Sequence, residues 1–362
     1  MKMPTSRLSE RTNGKQNELS KNGILGNVKI AAALAVGLFA IFLGVIVGSV
    51  NVSFANVVRI MANSLFGQEM PDDISAAYVA IVMNLRLPRT LLAFCAGAAL
   101  SVSGAVMQSI LRNPLASSYT LGVSSGASLG ASLVIFLGVY LPFFGMMTMP
   151  LLGFVFGLLT ILIVMGIARH LSVRMDNHTI ILTGMVFGLF INAITTLMFS
   201  LFREGIQRMV FWQMGSFAMR DWGAVYILAP ASLIGIGLIY FYRWELDIMT
   251  FGEEQALTVG VSVKNVKVIL LVIAAALTGS TIAFVGVIGF VDLVAPHIVR
   301  KIFGSAHKVV LPMSAIVGGA FMVFADIVAR TITAPVELPV GAVTAIIGAP
   351  FFAYVFFGKR RA

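Results

Sequence analysis

The chain has 362 residues, of which 59% are hydrophobic and only 11% charged, and its mean hydropathy is +0.96. A chain this apolar cannot cover itself with a polar surface in water, which excludes an ordinary soluble protein. The formal net charge is +10, but the basic residues form scattered clusters at predicted loop ends, so no nucleic-acid partner is expected. The composition indicates a polytopic protein of the lipid bilayer.

Apolar windows of about 20 residues recur along the chain, the length that a helix needs to cross a hydrocarbon core of about 30 Å. Their apolarity is continuous, without the alternation of barrel strands, which favours helices. Ten spans are predicted, near residues 28–50, 90–108, 118–139, 150–168, 179–202, 223–242, 266–284, 286–300, 310–330 and 339–357. The eighth is short and contains Pro296, so a broken or half-length helix is expected there.

Both ends of the chain are polar and basic. Residues 1–27 are expected to form a flexible cytoplasmic tail, 28–358 the membrane domain, and 359–362 a short cytoplasmic tail. The first span is too long for the core of a signal peptide. With both termini in the cytoplasm, 18 of the 25 Lys and Arg residues fall on the inner side. This bias matches the positive-inside rule.

Three arginines oppose this bias. Arg86 and Arg89 precede the second span and Arg330 ends the ninth, and the alternation of loops puts all three outside. One explanation is general, since guanidinium groups bind headgroup phosphates at any interface. The other is a specific partner on the outer face.

The sequence lacks the motifs of a self-contained enzyme. It has no Walker A motif, no H-E-x-x-H and no dinucleotide loop, so no catalytic residue, cofactor or metal site is expected. Asp292 is the one acid well inside a predicted span, which is a weak basis for an ion relay. Asp326 lies one helical turn from Arg330 and is expected to pair with it. If the protein moves a solute uphill, the energy is therefore expected to come from a partner protein.

Two further segments have an unusual composition. The second and third spans contain AGAALSVSGAVMQ and LGVSSGASLGASL, and such small residues predict central, closely packed membrane helices. Before the sixth span, REGIQRMVFWQMGSFAMRDW predicts a short helix at the outer face. This helix either lines an entrance with Trp212, Met214 and Ser216 or serves as an interfacial aromatic anchor.

Seven segments stand in a defined order: RLPR, SGAVMQSILRNPLA, LGVSSGA, WQMGS, GEEQALTVGV, GFVDLVAPHIVR and LPVGAVTAIIGAPFF. With them, the chain from about residue 30 onward resembles the FecCD-type permeases of ABC importers for iron siderophores, haem and cobalamin. The resemblance implies an all-α type II importer permease of about ten helices in the bacterial plasma membrane. It also implies three partners: a second permease subunit, which is either a second copy or a close paralogue, a dimer of cytoplasmic ATPases, and an extracytoplasmic binding protein.

GEEQALTVGV lies in the cytoplasmic segment near 245–265 and resembles the coupling motif of importers. Gly252, Glu253, Glu254, Ala256 and Gly260 match it, and we name residues 245–265 the coupling segment. A short helix here would lie in a groove of the ATPase and transmit its closure to the spans. Without the resemblance, the two glutamates would be interpreted as a solvated acidic turn.

The resemblance also implies that Arg86, Arg89 and Arg330 pair with glutamates of the binding protein, for which guanidinium groups are well suited. Asp292 departs from the family pattern, where a small residue is usual. It either pairs with a cation such as Arg300 or faces the inner vestibule as a pathway residue.

The expected function is therefore that of the membrane subunit of an ATP-driven importer of iron chelates that works by alternating access. A siderophore leads among the substrates, while haem and cobalamin stay open. Two alternatives from other classes are an ion-coupled secondary transporter that needs no ATPase, and a membrane receptor or assembly protein without transport activity.

Overall fold

The structure is a computed structural model that describes residues 6–67, 73–172 and 174–358, with side chains described over 26–67, 73–172 and 174–354. Within these ranges the regular secondary structure is helical throughout, which confirms the predicted all-α fold. The predicted basic tail at 359–362 and residues 1–5 of the predicted N-terminal tail lie outside the described residues.

The helices of the first half of the chain are α1 (Ser6–Ile46), α2 (Phe54–Phe66), α3 (Ala76–Ala80), α4 (Leu87–Leu111), α5 (Val123–Leu137), α6 (Thr148–Leu171) and α7 (Asn177–Leu201). A π-helical segment, Ile81–Arg86, joins α3 to α4, and a 3-10 turn, Gly145–Met147, precedes α6. The second half contains α8 (Ile206–Gln213), α9 (Trp222–Phe241), α10 (Arg243–Phe251), α11 (Glu253–Thr258), α12 (Val263–Val285), α13 (Val291–Phe303), α14 (His307–Thr331) and α15 (Val340–Gly358).

Every one of the ten predicted spans falls on a helix. Within the described residues, seven helical stretches are long and apolar enough to cross a membrane: Gly26–Ile46, Ala76–Leu111, Gly145–Leu171, Asn177–Leu201, Trp222–Phe241, Val263–Val285 and His307–Thr331. The other three predicted spans correspond to the shorter helices α5, α13 and α15. With 13 residues, α13 confirms the half-length helix expected around Pro296.

Two boundaries differ from the prediction. The span predicted at 118–139 is too long, because the helix starts only after Gly122, which has a φ of 78° and ends a preceding turn. Where the sequence predicts a flexible tail over 1–27, the backbone is helical from Ser6, in a stretch that contains no proline to stop a helix. The flexibility and the cytoplasmic location of that tail stay predictions.

Several helix ends are capped by a side chain or by a glycine. The Ser53 hydroxyl accepts a hydrogen bond from the Asn56 N–H at the start of α2, and the Asp221 carboxylate accepts one from the Gly223 N–H at the start of α9. At the C-terminus of α5, Gly138 adopts a left-handed conformation with a φ of 65°. These caps satisfy backbone groups that the helices leave free.

α4 is the most enclosed of the long helices, with 83% of its apolar window buried inside the structure against 22% for α1. It packs against α9, α12, α13 and α14. A Cβ added at Gly97 would overlap the backbone of Gly318 on α14, and one at Gly104 would overlap the backbone of Asp292 on α13. The small residues of α4 thus permit close backbone packing, as the sequence predicts for a central helix.

Candidate functional site

The three arginines predicted to face outside lie together at one end of the helix bundle. Arg86 ends the π-helical segment, Arg89 lies in the first turn of α4, and Arg330 lies in the last turn of α14. Together with Glu337, they line a cavity of about 130 Å³. We name Arg86, Arg89, Arg330 and their acidic partners Asp326 and Glu337 the arginine cluster.

Arg89 makes the strongest contacts in the arginine cluster. Its Nη2 donates to Asp326 Oδ1 at 2.8 Å, its Nε donates to both carboxylate oxygens of Asp326 at 3.0 and 3.1 Å, and its Nη1 donates to Glu337 Oε1 at 2.7 Å. Arg330 Nε lies 3.5 Å from Asp326 Oδ2, which confirms the pair predicted from helical spacing. Asp326 therefore binds two arginines, although the sequence suggested one.

Arg86 and Arg330 also satisfy the C-terminal end of α1. Arg86 Nη1 donates to the carbonyl of Ile46 at 2.7 Å and Arg330 Nη2 donates to the carbonyl of Gly44 at 2.6 Å, while Arg86 Nη2 donates to the carbonyl of Val50 in the loop after α1. Carbonyl groups at a helix end have no partner within the helix, so these guanidinium groups supply the missing donors.

The arginine cluster is only partly accessible. Arg86 and Arg330 are buried, whereas the side chains of Arg89 and Glu337 are 12% and 31% exposed. Three guanidinium groups face two carboxylates, so the cluster retains a formal charge of +1. The structure brings together the residues that the sequence assigned to docking, and it adds Glu337 and a second arginine partner for Asp326 that the sequence did not predict.

The segment before α9 contains the predicted short helix, α8, and its loop binds the ends of two other helices. The N–H of Ser216 donates to the carbonyl of Val285 at 2.8 Å, and the carbonyl of Met214 accepts from the N–H of Gly341 at 3.1 Å. Met214 is exposed, but Trp212 is buried against α5 with Ala127 and Ala131. In this conformation Trp212 is thus a packing residue and neither lines an open entrance nor forms an exposed anchor.

Asp292 lies in the first turn of α13 and is almost completely buried. Its predicted pairing with Arg300 is not found, because Arg300 donates to Gln108 Oε1, to the carbonyl of Ala105 at 3.0 Å and to Ser109 Oγ at 3.1 Å. The carboxylate instead lies at a helix N-terminus, where the helix dipole favours a negative charge. A role of Asp292 in the pathway stays a prediction.

The coupling segment contains most of α10, all of α11 and the first residues of α12, and Gly252 separates α10 from α11. Gly252 has a φ of 145°, which a residue with a side chain rarely adopts, so the sharp change of direction between the two helices requires glycine. Gly260, with a φ of 88°, follows α11. Ala256 is fully buried against the base of the bundle, and Glu254 is exposed. The predicted short helix is therefore present, while its cytoplasmic location stays a prediction.

Glu253 binds a lysine to which the sequence alone gives no role. Lys267, in the second turn of α12, is fully buried, and its Nζ donates to Glu253 Oε1 at 2.7 Å, to Asn177 Oδ1 at 2.8 Å and to the carbonyl of Met175 at 3.1 Å. An ammonium group has three donors, and all three are used here. In the sequence, the one indication of this buried ion pair is a lysine just inside a predicted span.

α10 is bound to the rest of the bundle by two other contacts. Asp247 Oδ1 lies 2.6 Å from His307 Nδ1 and accepts a hydrogen bond from the His307 N–H at 2.9 Å, while His307 Nε2 lies 2.7 Å from Ser109 Oγ on α4. Arg112, which follows α4, donates from Nη2 to the carbonyl of Met249 at 2.6 Å. The coupling segment is thus connected directly to α4, α12 and α14.

A wide groove of about 690 Å³ lies beside the coupling segment. Its lining is mostly polar and includes both signs of charge: Arg112, Arg174, Asp176, Phe251, Gly252, Glu253, Glu254, Gln255, Leu257, Val263 and Lys264. The large side chains of Phe251, Leu257 and Val259 are exposed at or next to it. Exposed apolar residues within a polar rim are typical of a protein interface.

Comparisons with known proteins agree with this geometry. The model of the FecCD transport family matches residues 16–358. The uncharacterized ABC transporter permease YvrB of Bacillus subtilis is 42% identical over 89% of this chain and 91% of its own. The Fe(3+) dicitrate transport system permease FecD of Escherichia coli is 37% identical over 77% of this chain and 86% of its own. A solved inward-facing conformation of a metal-chelate type ABC transporter is 26% identical, with a TM-score of 0.78 over 92% of this chain and 99% of that one.

Proposed function

Because the chain belongs to the FecCD transport family and is the permease subunit of an ABC transporter, we propose that it imports an iron chelate across the bacterial plasma membrane by alternating access. A ferric siderophore is the proposed substrate, and haem and cobalamin are the alternatives within the same class. The observation that carries the proposal is the similarity, over more than three quarters of the chain, to a permease named for ferric dicitrate transport.

A pair of separate ATPase subunits supplies the energy by binding at the coupling segment. Three features support this site: the polar groove of about 690 Å³, the exposed Leu257 and Val259, and the exposed Glu254 at the N-terminus of α11. The helix α11 is short and held by Gly252 and by the buried Ala256, so a movement imposed on it is passed to the bundle as a rigid unit.

An extracytoplasmic binding protein delivers the chelate at the arginine cluster. Arg89 is the most exposed of the three arginines, and the residual charge of +1 favours an acidic partner. Because Glu337 already occupies Nη1 of Arg89, a glutamate of the binding protein competes with Glu337 for this guanidinium group. Docking is therefore expected to weaken as salt is added.

A second copy of the chain completes the pathway, which is one of the two dimers that the family resemblance implies; the other is a heterodimer with a close paralogue. α7 has a broad exposed apolar face that includes Leu189, Phe190 and Leu197, and such a face is suited to contact with lipid or with another permease subunit.

The proposal is tested with the binding protein that co-purifies with the permease. This binding protein is titrated with a ferric hydroxamate, a ferric catecholate, ferric citrate, haemin and cobalamin. Quenching of the intrinsic fluorescence reports the affinity for each ligand. A ferric siderophore is expected to bind at least about tenfold more tightly than haemin or cobalamin, a difference of 1.4 kcal/mol. Tighter binding of haemin would refute the siderophore as the substrate and leave haem in its place. Tighter binding of cobalamin would also refute it and leave the corrinoid alternative.

A further inference from the structure

We infer that Lys267 is a positioning residue through which the coupling segment moves the membrane helices α7 and α12. This inference rests on the proposed binding of an ATPase at the coupling segment. It concerns a different question, namely how movement at that surface reaches the buried part of the bundle.

The position of Lys267 supports this role. Its ammonium group joins three elements: Glu253 in the first turn of α11, Asn177 at the first position of α7, and the carbonyl of Met175 in the turn before α7. The lysine itself belongs to α12, which packs against α4, α5, α6 and α9. Among the described residues, the bond to Glu253 is the one side-chain hydrogen bond from α11 to another helix.

The burial of Lys267 makes the connection stiff. A buried ammonium group is costly unless it is paired and fully hydrogen bonded, and breaking one of its bonds leaves an uncompensated charge. Any displacement of Glu253 therefore has to carry Lys267 with it. The Glu253 side chain, by contrast, is 30% exposed and lies in the lining of the groove, next to the residues that an ATPase would contact.

A purely structural role would give a different result. If Lys267 only stabilised the fold, its replacement would lower the amount of assembled complex, while each remaining complex would transport normally. If Lys267 transmits movement, the ATPase still binds and hydrolyses ATP, but less substrate is moved for each ATP consumed. The ratio of uptake to ATP hydrolysis separates these two roles.

The experiment uses the complete complex of permease, ATPase and binding protein in proteoliposomes. Uptake is measured with the radiolabelled iron chelate that binds most tightly in the titration described above, and hydrolysis is measured as released phosphate. Lys267→Met is expected to retain the co-purified ATPase and to lower the ratio of uptake to hydrolysis by about fivefold or more, the lower end of couplings between distant sites. Lys267→Arg is expected to restore most of the ratio.

The matched control is Lys301→Met, because Lys301 is exposed on α13 and does not line the groove. It is expected to leave the ratio unchanged. Glu253→Gln removes the charge from the partly exposed side of the same ion pair, so it provides the same test if Lys267→Met does not assemble. The double variant is expected to be no worse than the more severe single one, since both remove the same bond.

The outcomes separate a failure of the proposed ATPase docking from a failure of the inference about Lys267. If the unaltered chain fails to bind the ATPase, the docking proposal and this inference are both refuted. If the ATPase binds normally and the ratio is unchanged in both Lys267→Met and Glu253→Gln, only this inference is refuted. Loss of ATPase binding in these two variants would also refute it, because Lys267 would then shape the docking surface and transmit nothing.

Discussion

Asp326 lies between two arginines that come from different parts of the chain. It is buried on α14, one turn from Arg330, and it receives three of the hydrogen bonds that Arg89 donates from α4. A buried carboxylate that is shared in this way compensates two cations at once. The geometry of the outer end of the bundle therefore depends on this one residue more than on any single arginine.

Replacing Asp326 with asparagine keeps the shape of the side chain and removes its charge. Arg89 and Arg330 would then be left in a buried site with one carboxylate fewer, and the expected cost is about 3–5 kcal/mol. The measurement is the midpoint of thermal unfolding in detergent, which should fall clearly. Asp73→Asn is the matched control, because its pair with Arg59 is exposed to solvent, and it should leave the midpoint unchanged. Equal midpoints for the two variants would contradict the role given to Asp326.

The docking proposal is tested by Arg89→Lys. Lysine keeps the positive charge near Asp326 but cannot bind two carboxylates with a planar fork. The affinity for the binding protein is expected to fall roughly tenfold at low salt, equivalent to about 1.4 kcal/mol, and the difference should shrink as salt is raised. Arg59→Lys, at another outer arginine, controls for the loss of the guanidinium group. An unchanged affinity for Arg89→Lys at low salt would remove Arg89 from the docking site.

For individual residues, the sequence predicted a side-chain pair that follows from spacing along one helix, but it did not predict contacts between distant segments. The pair of Asp326 and Arg330 follows from the turn of a helix, but the bonds of Arg89 to Asp326 join residues 237 positions apart. Lys267 illustrates the same limit. Its sequence context places it at the start of an apolar span, whereas its hydrogen bonds to Glu253 and Asn177 form only because the packing of three elements brings these residues together.

α4 is the element that joins the two candidate surfaces. Its first turn carries Arg89, and its last turns carry Gln108 and Ser109, which bind Arg300 and His307. Between these ends, Gly97 and Gly104 permit backbone contact with α14 and α13. In lipid, such contacts drive helix association because there is no hydrophobic gain from burying one apolar helix against another.

Gly104→Ala tests this packing. The added methyl group would overlap the backbone carbonyl of Asp292, so α13 would have to shift, and overpacking of this kind costs about 1–3 kcal/mol. The unfolding midpoint in detergent is expected to fall. The control is Gly166→Ala on α6, where nothing lies within 4 Å of the added Cβ and where alanine favours the helix by about 0.5–1 kcal/mol. A fall of equal size in both variants would contradict the role given to close packing, because the methyl group added at Gly166 meets no neighbour.

Apolarity over a long window predicted the long helices well, because a membrane leaves the backbone few alternatives to a helix. The shorter elements were harder to predict. The start of α5 depends on a turn that ends at Gly122, and the division of the coupling segment into α10 and α11 depends on the unusual backbone of Gly252. Both are properties of how the chain folds back on the bundle, which local composition does not specify.

For the whole molecule, the two candidate surfaces lie at opposite ends of the same helices. The arginine cluster connects the ends of α1, α4 and α14, and the coupling segment is bound to α4, α12 and α14. α4 and α14 therefore reach from one surface to the other. Such shared helices provide a direct way for events at the ATPase to change the outer end, as alternating access requires.

The central claim is that this chain works as the permease of an ATP-driven importer, and uptake into proteoliposomes tests it most directly. The chain, its ATPase and its binding protein are reconstituted together, and accumulation of a radiolabelled iron chelate is followed with and without ATP and with a protonophore. We expect accumulation that requires ATP and the binding protein and that the protonophore does not change. Accumulation without the ATPase that collapses with the protonophore would contradict the account and identify an ion-coupled transporter instead.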